Sequence, residues 1–170
     1  MLKNDKMISD DTIVAQATPF GYSGVAMVRV SGQSSIKIVE KLTGGSPLKN
    51  RVSTFLKILS PSGDIIDRAL ITCFREPASY TGENVVEITP HGNPAIVENI
   101  IETICIYGGR IADPGEFTKR AFINGKLDLV QVEAIAALIS SKSKEAALAQ
   151  QKIASGALSK KINKIKDILV

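Results

Sequence analysis

A chain of 170 residues that is 44% hydrophobic and 22% charged can bury a genuine core, which excludes a disordered or fibrous polypeptide. Its formal net charge of +4 fits an anionic partner such as nucleic acid or a carboxylated cofactor, and equally a solvated basic surface. No apolar run is long enough for a bilayer span, and Met1–Lys6 lacks a signal-peptide core, so the expectation is a soluble, cytoplasmic protein with no membrane partner.

In chain order, Met1–Asp10 is polar and unpatterned and reads as a disordered terminus. Val25–Val30, bounded by Gly24 and Ser31-Gly32, predicts a strand with Val28 and Val30 facing the core and Arg29 on the other face. Ile36, Val39 and Leu42 predict a short helix over Ser34–Leu42, stopped by Gly44-Gly45. Thr54–Leu59 and Ile65–Phe74, joined at Pro61-Ser62-Gly63-Asp64, predict an antiparallel hairpin. After a loop at Glu76–Gly82, Asn84–Thr89 predicts another strand, with Val86 and Ile88 on one face and Val85 and Glu87 on the other. Ile96, Ile100 and Ile104 recur every four residues and predict a helix over Pro94–Tyr107, ended by Gly108-Gly109.

Asp113-Pro114-Gly115-Glu116 then combines an acidic N-cap, a proline at the first helical position and a glutamate at the third. The helix it predicts stops at Asn124-Gly125. Asp128 with Gln131 repeats the capping arrangement and opens a longer helix striped by Val132, Ile135 and Ile139. Leu158, Ile162, Ile165 and Leu169 form a further amphipathic stripe, and its apolar finish at Ile168-Leu169-Val170 predicts a chain cut within a longer helical domain. The fold class expected is α+β: a small mixed, antiparallel-rich sheet with packed helices over residues 11–124, followed by the first helices of an α-helical domain over 125–170.

Cys73 and Cys105 stand in apolar runs and read as buried free thiols of a reducing compartment. His91 is the one histidine, too few ligands for a protein-only zinc site, so no metal is expected. His91 itself reads as a loop-orienting residue, since no catalytic partner accompanies it.

Three stretches carry a resemblance. They are Asp11-Thr12-Ile13-Val14-Ala15-Gln16-Ala17-Thr18-Pro19 with Gly24-Val25 and Arg29-Val30-Ser31-Gly32; Tyr80-Thr81-Gly82-Glu83-Asn84-Val85-Val86-Glu87-Ile88 with His91-Gly92; and Arg110–Leu129, running on into Gln131-Val132-Glu133-Ala134. In series they resemble the N-terminal region of the MnmE (TrmE) family of tRNA-modification GTPases. The resemblance implies a domain like the folate-binding part of aminomethyl-transfer enzymes, binding 5-formyl- or 5,10-methylene-tetrahydrofolate and forming a homodimer. It implies a full-length GTP hydrolase that, with a flavin-dependent MnmG (GidA) partner, modifies C5 of the wobble uridine in tRNA. GTP, Mg2+ and K+ belong to that family's G domain. Here the one Gly-Lys pair, Gly125-Lys126, is followed by Leu127, so no phosphate-cradling loop is present and no GTPase activity is expected of these 170 residues. Asn84 and Asn93 also depart from the family pattern.

The resemblance maps folate contacts to Arg29, Glu87 and Lys126, with no catalytic residue in the chain. The chemistry suits them. A pterin ring presents a 2-amino group beside a ring N–H, an edge that one carboxylate accepts, and a folate's glutamate tail calls for a cation. Arg29 and Glu87 are charges set mid-strand among valines and isoleucine, where such a residue either meets solvent or has a task inside. Lys126 sits in a tight joint between the Asn124-Gly125 stop and the Asp128 cap. Tyr80 suits either a pterin stack or a core or rim position. Glu116 and Arg120 read as an i,i+4 pair plus dipole capping, worth tenths of a kcal/mol. Lys142, Lys144, Lys152 and the Lys160, Lys161, Lys164, Lys166 set suit a solvated face or contact with tRNA phosphates. A stand-alone folate-dependent one-carbon transferase and a ligand-free dimerisation scaffold remain the other readings.

Overall fold

The computed structural model describes residues 11–157. The expectations for Met1–Asp10 and for the stripe from Leu158 to Leu169 fall outside that range. The chain divides at Gly115 into two compact units.

The first unit is a six-stranded mixed sheet with two helices. Its strands are β1 (Thr12–Gln16), β2 (Val28–Ser31), β3 (Thr54–Leu59), β4 (Ile65–Phe74), β5 (Val85–Thr89) and β6 (Gly109–Ile111). They lie in the order β3-β4-β5-β2-β1-β6, and only the β1–β6 pair is parallel. The expected α+β class is what the chain adopts. Helices α1 (Ser35–Leu42) and α2 (Pro94–Ile106) share one core with Val14, Val28, Val30, Ile71, Val86 and Ile88. Burying each such aliphatic side chain contributes about 1.5–3 kcal/mol, which fixes which way every strand faces.

Two strands had no legible pattern. In β1, Ile13 and Val14 point to opposite faces and both are fully buried, so the alternation of a half-exposed strand is missing. Three-residue β6 exists only because β1 pairs with it. The strand expected at Val25–Val30 starts later, at Val28. Its pairing with β5 runs from Ser31↔Val85 to Val28↔Ile88; Pro90 follows, accepting from the Ala26 N–H at 3.0 Å but having no N–H to return the bond.

The second unit holds α3 (Glu116–Ile123), α4 (Leu129–Ser140) and α5 (Lys144–Ala154). The start expected at Asp113 is two residues early. Gly115 caps α3 in a left-handed conformation, φ 75°, so Pro114 and Gly115 are not helical. The Asp128 capping box does form: Asp128 accepts from the Gln131 N–H at 2.8 Å, and Gln131 Oε1 accepts from the Asp128 N–H at 3.0 Å. The same Gln131 donates through Nε2 to Ala154 O, which ties the start of α4 to the end of α5 and makes the two an antiparallel pair. Helix α5 was not foreseen, although Ser143 caps it in the ordinary way, accepting from the Ala146 N–H at 3.1 Å. Among the described residues no helix is long and apolar enough to cross a membrane.

Candidate functional site

Strand alternation builds the site. Val28 and Val30 of β2, and Val86 and Ile88 of β5, are sealed under the helices, so Arg29 and Glu87 between them turn to the other face. The antiparallel register places them directly opposite each other, with Ala15 beyond Arg29 and Thr72 beyond Glu87. Arg29 donates to Glu87 Oε1 from both Nε (3.0 Å) and Nη2 (2.8 Å). The pair is about three-quarters buried, the side chains being 23% and 22% exposed. Both donors meet one oxygen, and no hydrogen bond to Oε2 is present among the described residues. The carboxylate therefore keeps one oxygen to accept an N–H from elsewhere. The Tyr80 ring completes the cluster, its centroid 5.2 Å from the Arg29 guanidinium carbon.

Next to this pair on the same face lies a buried polar knot. Ser31 Oγ donates to Glu83 Oε2 at 2.7 Å and lies 2.7 Å from Thr81 Oγ1, and all three residues are buried. It anchors the loop that carries Tyr80. Neither Ser31 nor Glu83 stood out in the sequence as more than a motif letter, because their role depends on a contact fifty residues apart.

Of the residues assigned by resemblance, the fold brings Arg29 and Glu87 into contact. Lys126 belongs to the second unit: it is exposed, and its N–H closes the end of α3 on Ala121 O at 2.8 Å. Glu116 and Arg120 form the expected i,i+4 pair, Arg120 donating to Glu116 Oε1 from Nε (3.3 Å) and Nη2 (3.0 Å). They are buried, however, at 8% and 5% exposure, so a worth of tenths of a kcal/mol is too small. The packing around α3 removes them from water. Lys142, Lys144 and Lys152 are exposed.

His91 orients a loop. Its N–H donates to Asp67 Oδ2 at 2.9 Å, and its Nδ1 lies 2.8 Å from Asp67 Oδ1. An ionised carboxylate only accepts, so the ring carries its proton on Nδ1 and turns Nε2 outward. Burial by itself pushes the Asp67 carboxyl up, but hydrogen bonds from the His91 N–H, the His91 ring and the Arg68 N–H outweigh it and hold it below the usual carboxylate range. A depressed carboxyl stabilises the fold above its unfolded value near pH 4, and the benefit fades as pH falls through the folded value. Asp67→Asn is therefore expected to lower stability at neutral pH, with the gap to the unaltered chain closing below about pH 4. Urea titrations at pH 7 and pH 3 check this.

Cys73 is buried and Cys105 half-buried, rather than both being sealed, and desolvation pushes both thiols up. Cys105 is expected to react with a maleimide before Cys73, as mass mapping of the labelled peptides would show.

Two open grooves lie away from the pair, each with charge of one sign. One, of about 340 Å³, runs along α2 past Glu98 and Glu102 to Phe20 and Ile111. The other, of about 420 Å³, is lined by Thr43, Phe55, Lys57 and Arg68. Compared with these two grooves, the Arg29–Glu87 cluster is the place that combines an acid, a base and an aromatic ring.

Comparison with known proteins agrees with the motif reading. Residues 12–126 match the model of the family described as GTP-binding protein TrmE N-terminus. The tRNA modification GTPase MnmE of Francisella philomiragia is 48% identical over 164 residues, that of Francisella tularensis subsp. holarctica 46% over 164, and that of Legionella pneumophila 43% over 163. Each match covers 96% of this chain and 36% of the relative, so the chain spans about a third of the length of these proteins. The chain belongs to the TrmE (MnmE) N-terminus family of tRNA-modification GTPases.

Proposed function

We propose that this chain is a tetrahydrofolate-binding, homodimerising module of a cytoplasmic tRNA-modification GTPase, with Arg29, Glu87 and Lys126 as its folate contacts. The observation that carries this reading is the Arg29–Glu87 pair with Oε2 open. A carboxylate with one oxygen already ordered by a guanidinium and the other available suits the N–H edge of a pterin. In the whole protein the folate, as the 5-formyl or 5,10-methylene form, serves modification of the wobble uridine in tRNA, together with a flavin-dependent MnmG partner. GTP, Mg2+ and K+ act through a G domain that these 170 residues do not contain, and this chain binds no GTP.

Calorimetric titration with 5-formyltetrahydrofolate tests it. The expected result is saturable binding near one folate per chain. Arg29→Ala and Glu87→Ala are each expected to weaken it by roughly tenfold to a hundredfold while the dimer mass by light scattering stays unchanged. Lys126→Ala tests the third contact on its own. Affinity unchanged in all three variants would remove the site assignment, and a mass of one chain across micromolar concentrations would remove the dimer. Because Arg29 and Glu87 already neutralise each other, a ligand-free scaffold held by that pair is the competing reading. It predicts lost stability in both variants and no folate binding by the unaltered chain.

A further inference from the structure

Tyr80 is held over Arg29 by a loop, 75–84 between β4 and β5, that is pinned from two directions. On its inner side Glu83 and Thr81 are tied to Ser31. Within the loop, Ser79 Oγ donates to Glu83 O and accepts from the Gly82 N–H. On the outer side stands Arg51. Its N–H donates to Cys73 O at 2.7 Å, its Nη2 donates to Ala78 O at 2.6 Å, and its guanidinium lies 5.7 Å from the centroid of the Phe74 ring. Arg51 thus grips both the last residues of β4 and the loop two residues ahead of Tyr80.

Arg51 does so from a costly conformation. Its φ of 59° is the only positive value at a non-glycine among the described residues. Left-handed backbone is disfavoured for an L side chain, and glycine or asparagine takes it more readily. An arginine kept there points to a task for its side chain.

We infer that Tyr80 is a wall of the ligand site, against which a flat heteroaromatic ring stacks, and that Arg51 is its positioning residue. The inference rests on the folate reading of Arg29 and Glu87. A ring whose edge donates to Glu87 Oε2 needs an apolar surface along its face, and Tyr80 is the aromatic side chain that already contacts the pair. Tyr80 is 37% exposed, so part of its surface meets solvent in the ligand-free chain. Arg51 reaches the ligand only through the loop. It acts on affinity by raising the fraction of molecules in which Tyr80 is in place.

Arg51→Gly separates the side chain from its backbone, because glycine adopts φ 59° without cost. The variant is expected to remain folded by far-UV circular dichroism, while the Gly82 and Glu83 amides exchange faster with deuterium. Its affinity for 5-formyltetrahydrofolate is expected to fall about fivefold, the loss that follows if Tyr80 is in place a fifth of the time. Tyr80→Ala should weaken binding roughly tenfold or more, and Tyr80→Phe, which keeps the ring, by less than about twofold. Unchanged exchange and affinity in Arg51→Gly, or wild-type affinity in Tyr80→Ala, would overturn the inference. If the unaltered chain binds no folate, the folate reading fails on its own and takes the stacking wall with it. The exchange comparison then decides Arg51 alone: faster exchange keeps it as the residue that positions Tyr80, and unchanged exchange removes that too.

Discussion

Arg120→Ala is expected to destabilise the helical unit by about 3–5 kcal/mol. Arg120 and Glu116 are both more than nine-tenths buried and share a two-point contact, so truncating the arginine takes the neutralising guanidinium from a carboxylate held out of water. The cost is the desolvation of the partner left behind rather than the worth of the pair. An exposed i,i+4 pair of the same composition would lose only about 0.3–0.5 kcal/mol. Urea unfolding followed by far-UV circular dichroism distinguishes the two, since a loss of several kcal/mol is a large share of a domain's stability. A loss under about 1 kcal/mol in Arg120→Ala would mean that water reaches the pair.

Gly32→Ala is expected to cost about 3 kcal/mol or more, through two effects that add. Gly32 turns β2 into α1 with φ 134°, a conformation L side chains rarely adopt, which by itself costs about 1–3 kcal/mol. A Cβ there would also stand 2.7 Å from Asp11 O and 2.8 Å from Thr12 Cα. Those are backbone atoms at the start of β1, which is hydrogen-bonded on both sides, so the clash cannot be relieved by a rotamer change. The turn is otherwise tightly tied: Gly32 N–H donates to Asn84 O, Ser34 N–H to Thr12 Oγ1, and Ser35 N–H to Gly32 O. Gly24→Ala is the control. Gly24 has no positive φ and nothing within 4 Å of an added methyl, so a change within about 0.5 kcal/mol is expected. Thermal melts of the two variants side by side would show the contrast, and equal midpoints would mean that β1 shifts to admit the methyl.

The candidate site was legible to different depths. Arg29 and Glu87 stood out as charges inside β-branched runs, and strand alternation alone put each opposite a buried face. That they face each other across β2 and β5 depends on a register between segments 58 residues apart, which periodicity does not encode. Tyr80 was ambiguous because an aromatic in a loop has no period to read. Arg51 was invisible: its weight comes from a backbone angle and from a carbonyl 27 residues away.

What the sequence determined by itself was set by local period and local capping, although the Ser143 cap of α5 went unread and the start of α3 was placed two residues early. The helices α1 and α2, the β3–β4 hairpin, the stop at Asn124-Gly125 and the Asp128–Gln131 box all follow from side chains within a few residues of one another. So does the family, whose motifs are contiguous strings. Only the tertiary structure decided that Thr12–Gln16 and Gly109–Ile111 are strands, since each is a strand by virtue of its neighbour. It also decided that the Glu116–Arg120 pair, legible from its i,i+4 spacing, is buried. For the exposed β6 the deciding quantity is the pairing with β1. For β1 and the ion pair it is burial, which removes the alternation that marks a strand and turns a contact worth tenths of a kcal/mol in water into one whose loss costs several.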